Sequence, residues 1–260
     1  MNSNLDEFIS FANHLSDESA EIIKQYFRKS IHIENKEDES PVTVADKNTE
    51  LKIRELISNK YPTHGILGEE FDGKDMDSEY LWVIDPIDGT RSFIAGHKDF
   101  GTLISLLHNK KPIIGIINCP MHEERWVGIQ GEKTKMNGQI VQTSNKKNLD
   151  QSYLSSTGLY MFNNDNFKKG FEKIIDTTRY HRFGGDCYNY GLVASGYIDI
   201  VIENMLKIHD YMALIPVIEG AGGKITDSSG NMIGFDSNGS VVVSANEELH
   251  SQLIDIINNL

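Results

Sequence analysis

The chain has 260 residues, 39% of them hydrophobic, and 25 basic against 38 acidic side chains give a formal net charge of −13. That length supports a substantial core, in one large domain or two smaller ones, and the acidic balance argues against unassisted binding of nucleic acid or an anionic membrane. Cys119 and Cys187 are too few for a disulfide framework or a thiolate zinc site. MNSNLDEFIS is no secretory leader and there is no 18-residue apolar run, so a reduced, cytoplasmic, non-membrane setting is expected.

Leu5, Phe8, Ala12, Leu15, Ile22, Ile23, Tyr26 and Phe27 recur at mostly helical spacing and predict a first helix over 4–28. The charged stretch 31–41, IHIENKEDESP, reads as an exposed, mobile loop. A second helix is predicted from about Ala45 to Lys60, with Leu51, Ile53, Leu56 and Ile57 inward and Tyr61-Pro62 ending it. Across 65–142, GILGEE, YLWVID, GTLISLLHN, KPIIGIINCP and RWVGIQG are short apolar runs between turn residues. They predict a largely antiparallel sheet, with HNKKP as a hairpin connection. Polar NKKNLDQS (145–152) marks a boundary, dividing an α+β domain, 1–148, from an α/β domain, 149–260, in which strand-like and helical stretches alternate.

One stretch asks for chemistry. WVIDPIDGT, 82–90, carries an apolar run straight into Asp85 and Asp88, separated by Pro86-Ile87. An Asp-x-x-Asp turn can set two carboxylates and the Ile87 carbonyl on one side of the chain, which suits a hard divalent ion, and Pro86 restricts that turn. Turn chemistry alone would also explain the pair. Glu69-Glu70 read singly is a solvated loop, and Asp46 or Asp210 read singly is a helix N-cap. Gly89 and Thr90 add amides that would be open to an anion if a helix begins there. Two metals about 3.5–4 Å apart beside such an anion hole are the usual means of metal-assisted phosphoester hydrolysis.

Together, GILGEE, WVIDPIDGT and the distant HDYMALIPVIEGAGG resemble the inositol monophosphatase superfamily of Mg²⁺-dependent phosphatases, in order and spacing, from the first helix to near the C-terminus. The resemblance implies a layered αβαβα sugar-phosphatase fold (α+β, with α/β layering), commonly a homodimer. It implies that Glu69, Asp85 and the Ile87 carbonyl bind a first metal and that Asp85, Asp88 and Asp210 bind a second, with a third held by Glu69 and water. Mn²⁺ could replace Mg²⁺. It further implies that Thr90 and Asp46 orient and deprotonate a metal-activated water, that the Gly89 and Thr90 amides hold the phosphate, and that Lys36 lies in a mobile metal-retaining loop. One departure is His209 before Asp210, where the inositol enzymes usually have Trp; it could ligate metal, but a wall or supporting role is preferred, since Mg²⁺ prefers oxygen.

Where inositol phosphatases typically read Gly-[Ser/Thr]-Ala-Ala, this chain has Gly184-Gly185-Asp186-Cys187. An aspartate suits a cation better than a neutral polyol, and Glu203 could supply a second carboxylate. This segment, with DGTRSFIAGHKDFGTLISLL, resembles the inositol-monophosphatase-type histidinol-phosphate phosphatases, which implies L-histidinol phosphate as the small-molecule substrate. Inositol 1-phosphate or another small ester is the alternative, and an inactive metal-binding regulatory protein is the alternative of a different class. Asp186 could equally cap the helix it opens, Arg182 could orient substrate or pair with an acid, and Tyr188 and Tyr190 read as packing.

Overall fold

The fold is that of a computed structural model describing all residues except 1, 31–32, 36–40, 163–164 and 260. Helix α1, Asn2–Tyr26, buries Phe8, Phe11, Ala12, Leu15 and Ile23 along one stripe. Strands β1, Ile33–Asn35, and β2, Pro41–Thr43, pair antiparallel. Of the segment expected to be a loop, Ile33–Asn35 and Pro41 are therefore paired strand, next to buried Val42, while 31–32 and 36–40, Lys36 among them, lie outside the described residues.

Helix α2, Val44–Lys60, opens with a capping box in which the Thr43 side chain accepts from Ala45 N–H and the Asp46 carboxylate accepts from Thr43 N–H. The cap is thus Thr43, with Asp46 three residues in. The inward face runs through Asp46, Thr49, Glu50, Ile53 and Ile57, whereas Leu51, expected inward, is 50% exposed. Glu50 takes the inward place because its carboxylate accepts from the Glu70 and Phe71 amides and pairs with Arg54 at 2.7 Å.

Strands β3 (Gly65–Gly68), β4 (Tyr80–Asp88), β5 (Gly101–His108), β6 (Lys111–Cys119), β7 (Glu124–Ile129), β8 (Lys135–Met136) and β9 (Gln139–Ile140) form one sheet in that order. Helix α3, Thr90–Ala95, follows β4. The β3–β4 pair is parallel and the rest are antiparallel. Asn109 and Lys110 turn the β5–β6 hairpin with φ of 49° and 63°, the two-residue geometry that follows the strands' own twist. The run in β4 is apolar throughout because both faces are covered. Trp82 and Ile84 pack with Phe8, Phe11 and Ile53, and Leu81 and Val83 pack with Tyr190, Met212 and Val217.

The second sheet contains β10 (Tyr153–Ser156), β11 (Tyr180–Phe183), β12 (Ile200–Glu203), β13 (Lys224–Thr226) and β14 (Val241–Ser244), in the order β11-β10-β12-β14-β13. Helices α5 (Asp186–Ala194), α6 (Ile208–Tyr211) and α7 (Leu214–Gly220) lie between the sheets, while α4 (Asp165–Thr177) and α8 (Glu247–Asn258) pack together on the far side. Reading outward from α1 and α2, the layers are αβαβα.

The contact of α7 with the first sheet is backbone on backbone. A Cβ at Gly128 of β7 would stand 2.3 Å from Pro216 C and Val217 N. Gly128→Ala therefore pries the middle helical layer off the sheet. We expect a loss of about 3 kcal/mol, read as a Tm drop of roughly 6–12 °C. Gly234→Ala, whose added Cβ meets nothing within 4 Å, serves as the unshifted control; equal Tm values for the two variants would refute the close-contact argument.

Candidate active site

Residues three apart on a regular strand face opposite sides, so Asp85 and Asp88 converge only because β4 is irregular. Asp85 pairs with Leu103 but Asp88 with Gly101, so β4 carries one extra residue between them. Pro86 sits in that bulge, where a missing donor costs nothing, and its carbonyl accepts from Thr102 Oγ1 at 2.9 Å. Asp85 is 2% exposed and its Oδ1 accepts from Ile87 N–H at 3.0 Å. Ile87 buries its side chain against Phe93 and Phe100. Gly89 then turns the chain at φ 88°, capping α3.

Three other elements bring acids to this turn. Glu69 follows β3 in a loop pinned by the Glu50 and Arg54 contacts, and Arg54 Nη2 also donates to Phe71 O at 2.8 Å. Asp210 is the third residue of α6, whose start it closes by accepting from Lys207 N–H at 2.6 Å. Asp46 arrives from α2. Carboxylate oxygens of Asp85, Asp88 and Asp210 lie within 4.8 Å of one another, as do ligand atoms of Glu69, Asp85 and His209. His209 Nε2 also lies 3.5 Å from Asp210 Oδ1. Thr90 Oγ1 donates toward Asp46 Oδ1 at 3.2 Å and Ile87 O at 3.1 Å.

Gathering these acids has an electrostatic cost. Burial, then repulsion from Glu69, Asp88, Asp210 and Asp46, pushes the Asp85 carboxyl well above the usual range. Burial, then Asp186 and Asp210, does the same to Asp88, and burial raises Asp210 and Asp46. A divalent cation relieves this repulsion, and a donor set made almost wholly of carboxylate and carbonyl oxygen is what Mg²⁺ or Mn²⁺ takes. The residues present fit such an ion.

A cavity of about 330 Å³ opens beside the cluster, and its lining includes Glu69, Asp88 and Asp210 together with Asp186, Glu203 and Tyr190. Asp186 does not cap α5; Gly185 does, and Asp186 Oδ2 accepts from Ser92 Oγ at 2.6 Å. Burial raises the Asp186 carboxyl to about 6, against the lowering effect of the Ser92 hydroxyl. Glu203, 2% exposed, accepts from Thr157 N–H at 2.8 Å and Tyr190 OH at 2.7 Å, and burial lifts it to about 7. Gly184, Gly185 and Arg182 lie outside the cavity lining. Arg182, 58% exposed, pairs with Asp99 at 3.1 Å. Tyr188 stacks on His122 with ring centroids 4.2 Å apart.

Several residues that pin or line this site had no role read for them in the sequence. Glu50 and Arg54 left one trace, an i,i+4 charge pair on a predicted helix. Arg91 and Ser92 lie in the DGTRSFIAGHKDFGTLISLL stretch without a role read for either, and Tyr160 left no trace. Arg91 and Tyr160 line the cavity with the guanidinium 4.8 Å from the ring centre, and each of the three meets its partner only through long-range folding.

The inositol monophosphatase family model matches residues 4–260. The chain is 42% identical to the bifunctional phosphatase IMPL2, chloroplastic, of Arabidopsis thaliana, over 96% of this chain and 75% of that one. It is 35% identical to a histidinol-phosphatase of Chlorobaculum parvum, over 96% of each chain. A solved inositol monophosphatase from Zymomonas mobilis superposes with a TM-score of 0.88 at 39% identity, covering 97% of this chain and 98% of that one. With the layered fold and the converged acids in place, these matches make the chain a member of the inositol monophosphatase family of phosphatases.

Proposed function

We propose that the enzyme is a metal-dependent phosphomonoesterase that hydrolyses L-histidinol phosphate to L-histidinol and phosphate. The observation that carries the substrate reading is a carboxylate, Asp186, in the wall of the cavity that the acidic cluster adjoins, with Glu203 lining it too. An ester whose alcohol part bears an ammonium and an imidazole meets that wall with opposite charge, and charge-assisted hydrogen bonds are the strong kind. The likeness to the Chlorobaculum enzyme, and to a histidinol-phosphatase of Mycobacterium tuberculosis at 31% identity over 94% of this chain, supports the same reading.

Glu69, Asp85, the Ile87 carbonyl, Asp88 and Asp210 are assigned as the groups that would hold Mg²⁺. The ion supplies Lewis acidity, making water a nucleophile at neutral pH and offsetting charge on phosphoryl oxygen. The chain's own residues do the rest. Asp46 accepts the proton relayed through the Thr90 hydroxyl from the attacking water. The Gly89 and Thr90 amides receive phosphoryl oxygens. Asp186 and Glu203 orient the alcohol end.

Phosphate release with Mg²⁺ tests this. Histidinol phosphate should exceed inositol 1-phosphate in kcat/KM by about 10- to 100-fold, the worth of one charged hydrogen bond. The reverse order would favour the second reading, an inositol monophosphatase, which the likeness to the Zymomonas structure supports. No release from any ester would leave a metal-binding protein without turnover.

A further inference from the structure

Ser92 and Asp186 stand 94 positions apart in sequence, yet the serine hydroxyl donates to Asp186 Oδ2 at 2.6 Å. Three observations say that this side chain is held in place as far as its Cγ. Asp186 has φ of 43°, a left-handed backbone that residues with a side chain rarely adopt. The following amide, Cys187 N–H, donates to Asp88 Oδ2, tying the start of α5 to the acidic turn of β4. The carboxyl group also lies over Gly89, where an added Cβ would stand 2.8 Å from Asp186 Cγ. With Oδ2 engaged by Ser92, Oδ1 has no hydrogen-bond partner among the described residues, and Asp186 lines the cavity.

We infer that Ser92 is a positioning residue for substrate choice, holding one oxygen of Asp186 so that the other is presented to a cationic group on the alcohol part of the ester. The inference rests on the proposed preference for a cationic substrate. The terminal torsion of an aspartate is broad, so without the serine the carboxyl group is free to turn. Arg91 and His97 are its attractive neighbours, and Arg91 lines the same cavity. A carboxylate turned onto that guanidinium would spend its charge inside the protein and leave less for the ligand. Ser92 sits two residues beyond Thr90, on the helix that follows the phosphate-binding turn. Substrate choice and phosphate placement would then share one rigid element.

Steady-state kinetics of the Mg²⁺-loaded enzyme test this with histidinol phosphate as the cationic ester and myo-inositol 1-phosphate as the neutral one. Ser92→Ala should raise KM for the cationic ester about tenfold, the loss of one charge-assisted contact, with kcat within about twofold. KM for the neutral ester should not move. Ser92→Cys, which keeps the volume and weakens the donor, should behave like the alanine variant and carries the test if that variant does not fold. Ser92→Thr should restore the wild-type values. In an Asp186→Asn background, Ser92→Ala should add no further rise, since the two residues act as one unit. Equal KM changes for both esters, or additive effects in the double variant, would overturn the role given to Ser92 while leaving the substrate reading intact. A wild-type enzyme without preference for the cationic ester would overturn both.

Discussion

Asp85→Asn is expected to fold and to lose turnover by at least about 10³-fold, the equivalent of some 4 kcal/mol of transition-state stabilisation. Asp85 belongs to both groups of converging ligand atoms, so its replacement touches the first and the second of the expected metal positions at once. The same change should stabilise the protein in the absence of metal. The folded Asp85 carboxyl holds its proton more tightly than the unfolded one, because burial and four neighbouring acids oppose its charge. The folded state then binds more protons than the unfolded state between the two pKa values, and metal-free stability falls as pH rises from near 4 toward the raised value. An amide removes that penalty, so metal-free Asp85→Asn should melt higher than metal-free wild type at pH 7, with a shallower fall of Tm with pH. Added Mg²⁺ should reverse the order. At a hundred times its Kd a ligand stabilises by about 2.7 kcal/mol, roughly 5–10 °C for a chain of this size. Thermal unfolding at several pH values, with EDTA or with Mg²⁺, reads all of this. Wild-type turnover in the variant, or a lower metal-free Tm, would show that Asp85 is there for the fold.

The periodic elements were legible from sequence because their cause is local. The apolar stripes of α1 and α2 and the hairpin at Asn109-Lys110 need only near neighbours to be read. Periodicity ranks residues by hydrophobicity and so places Leu51 inward, whereas the inward place goes to Glu50, whose amide partners lie about 20 residues away in the GEE loop. Composition marks 31–41 as a loop; of its described residues, Ile33–Asn35 and Pro41 are paired strand, a pairing that depends on backbone partners and not on composition. The parallel β3–β4 pair could not be told from an antiparallel one by alternation, which is the same for both. At the site, the residue types and spacing of the acids were legible, but the bulge that turns Asp85 and Asp88 to one side was not, although Pro86 marked its place. The middle layer's seat on Gly128, and on Gly115 of β6, where an added Cβ would stand 2.0 Å from Ala213 O, is invisible too, since a glycine kept for close approach reads in sequence as a weak point in a strand.

Thr90→Val and Asp46→Asn separate chemistry from scaffolding, because Asp46 does two jobs with different oxygens. Its Oδ2 accepts from the Thr43 N–H and hydroxyl and closes the start of α2; its Oδ1 faces Thr90 Oγ1. An asparagine whose carbonyl oxygen faces Thr43 keeps the cap and turns its NH₂ toward Thr90. The variant should therefore fold, with a Tm within a few degrees of wild type, yet it offers no basic oxygen to Thr90. Valine matches threonine in shape and removes the hydroxyl of the proposed relay. Each change should lower kcat by about 10²–10⁴-fold, the usual worth of a positioned general base, with KM little altered because neither group holds the ester. Combined, they should cost scarcely more than either alone, since a relay broken at one link is already broken. Thr90→Ser keeps the hydroxyl and should stay within about tenfold of wild type. Fully multiplicative losses in the double variant would mean that Asp46 and Thr90 act through separate routes, and the proton would then need another acceptor among the acids around Asp85.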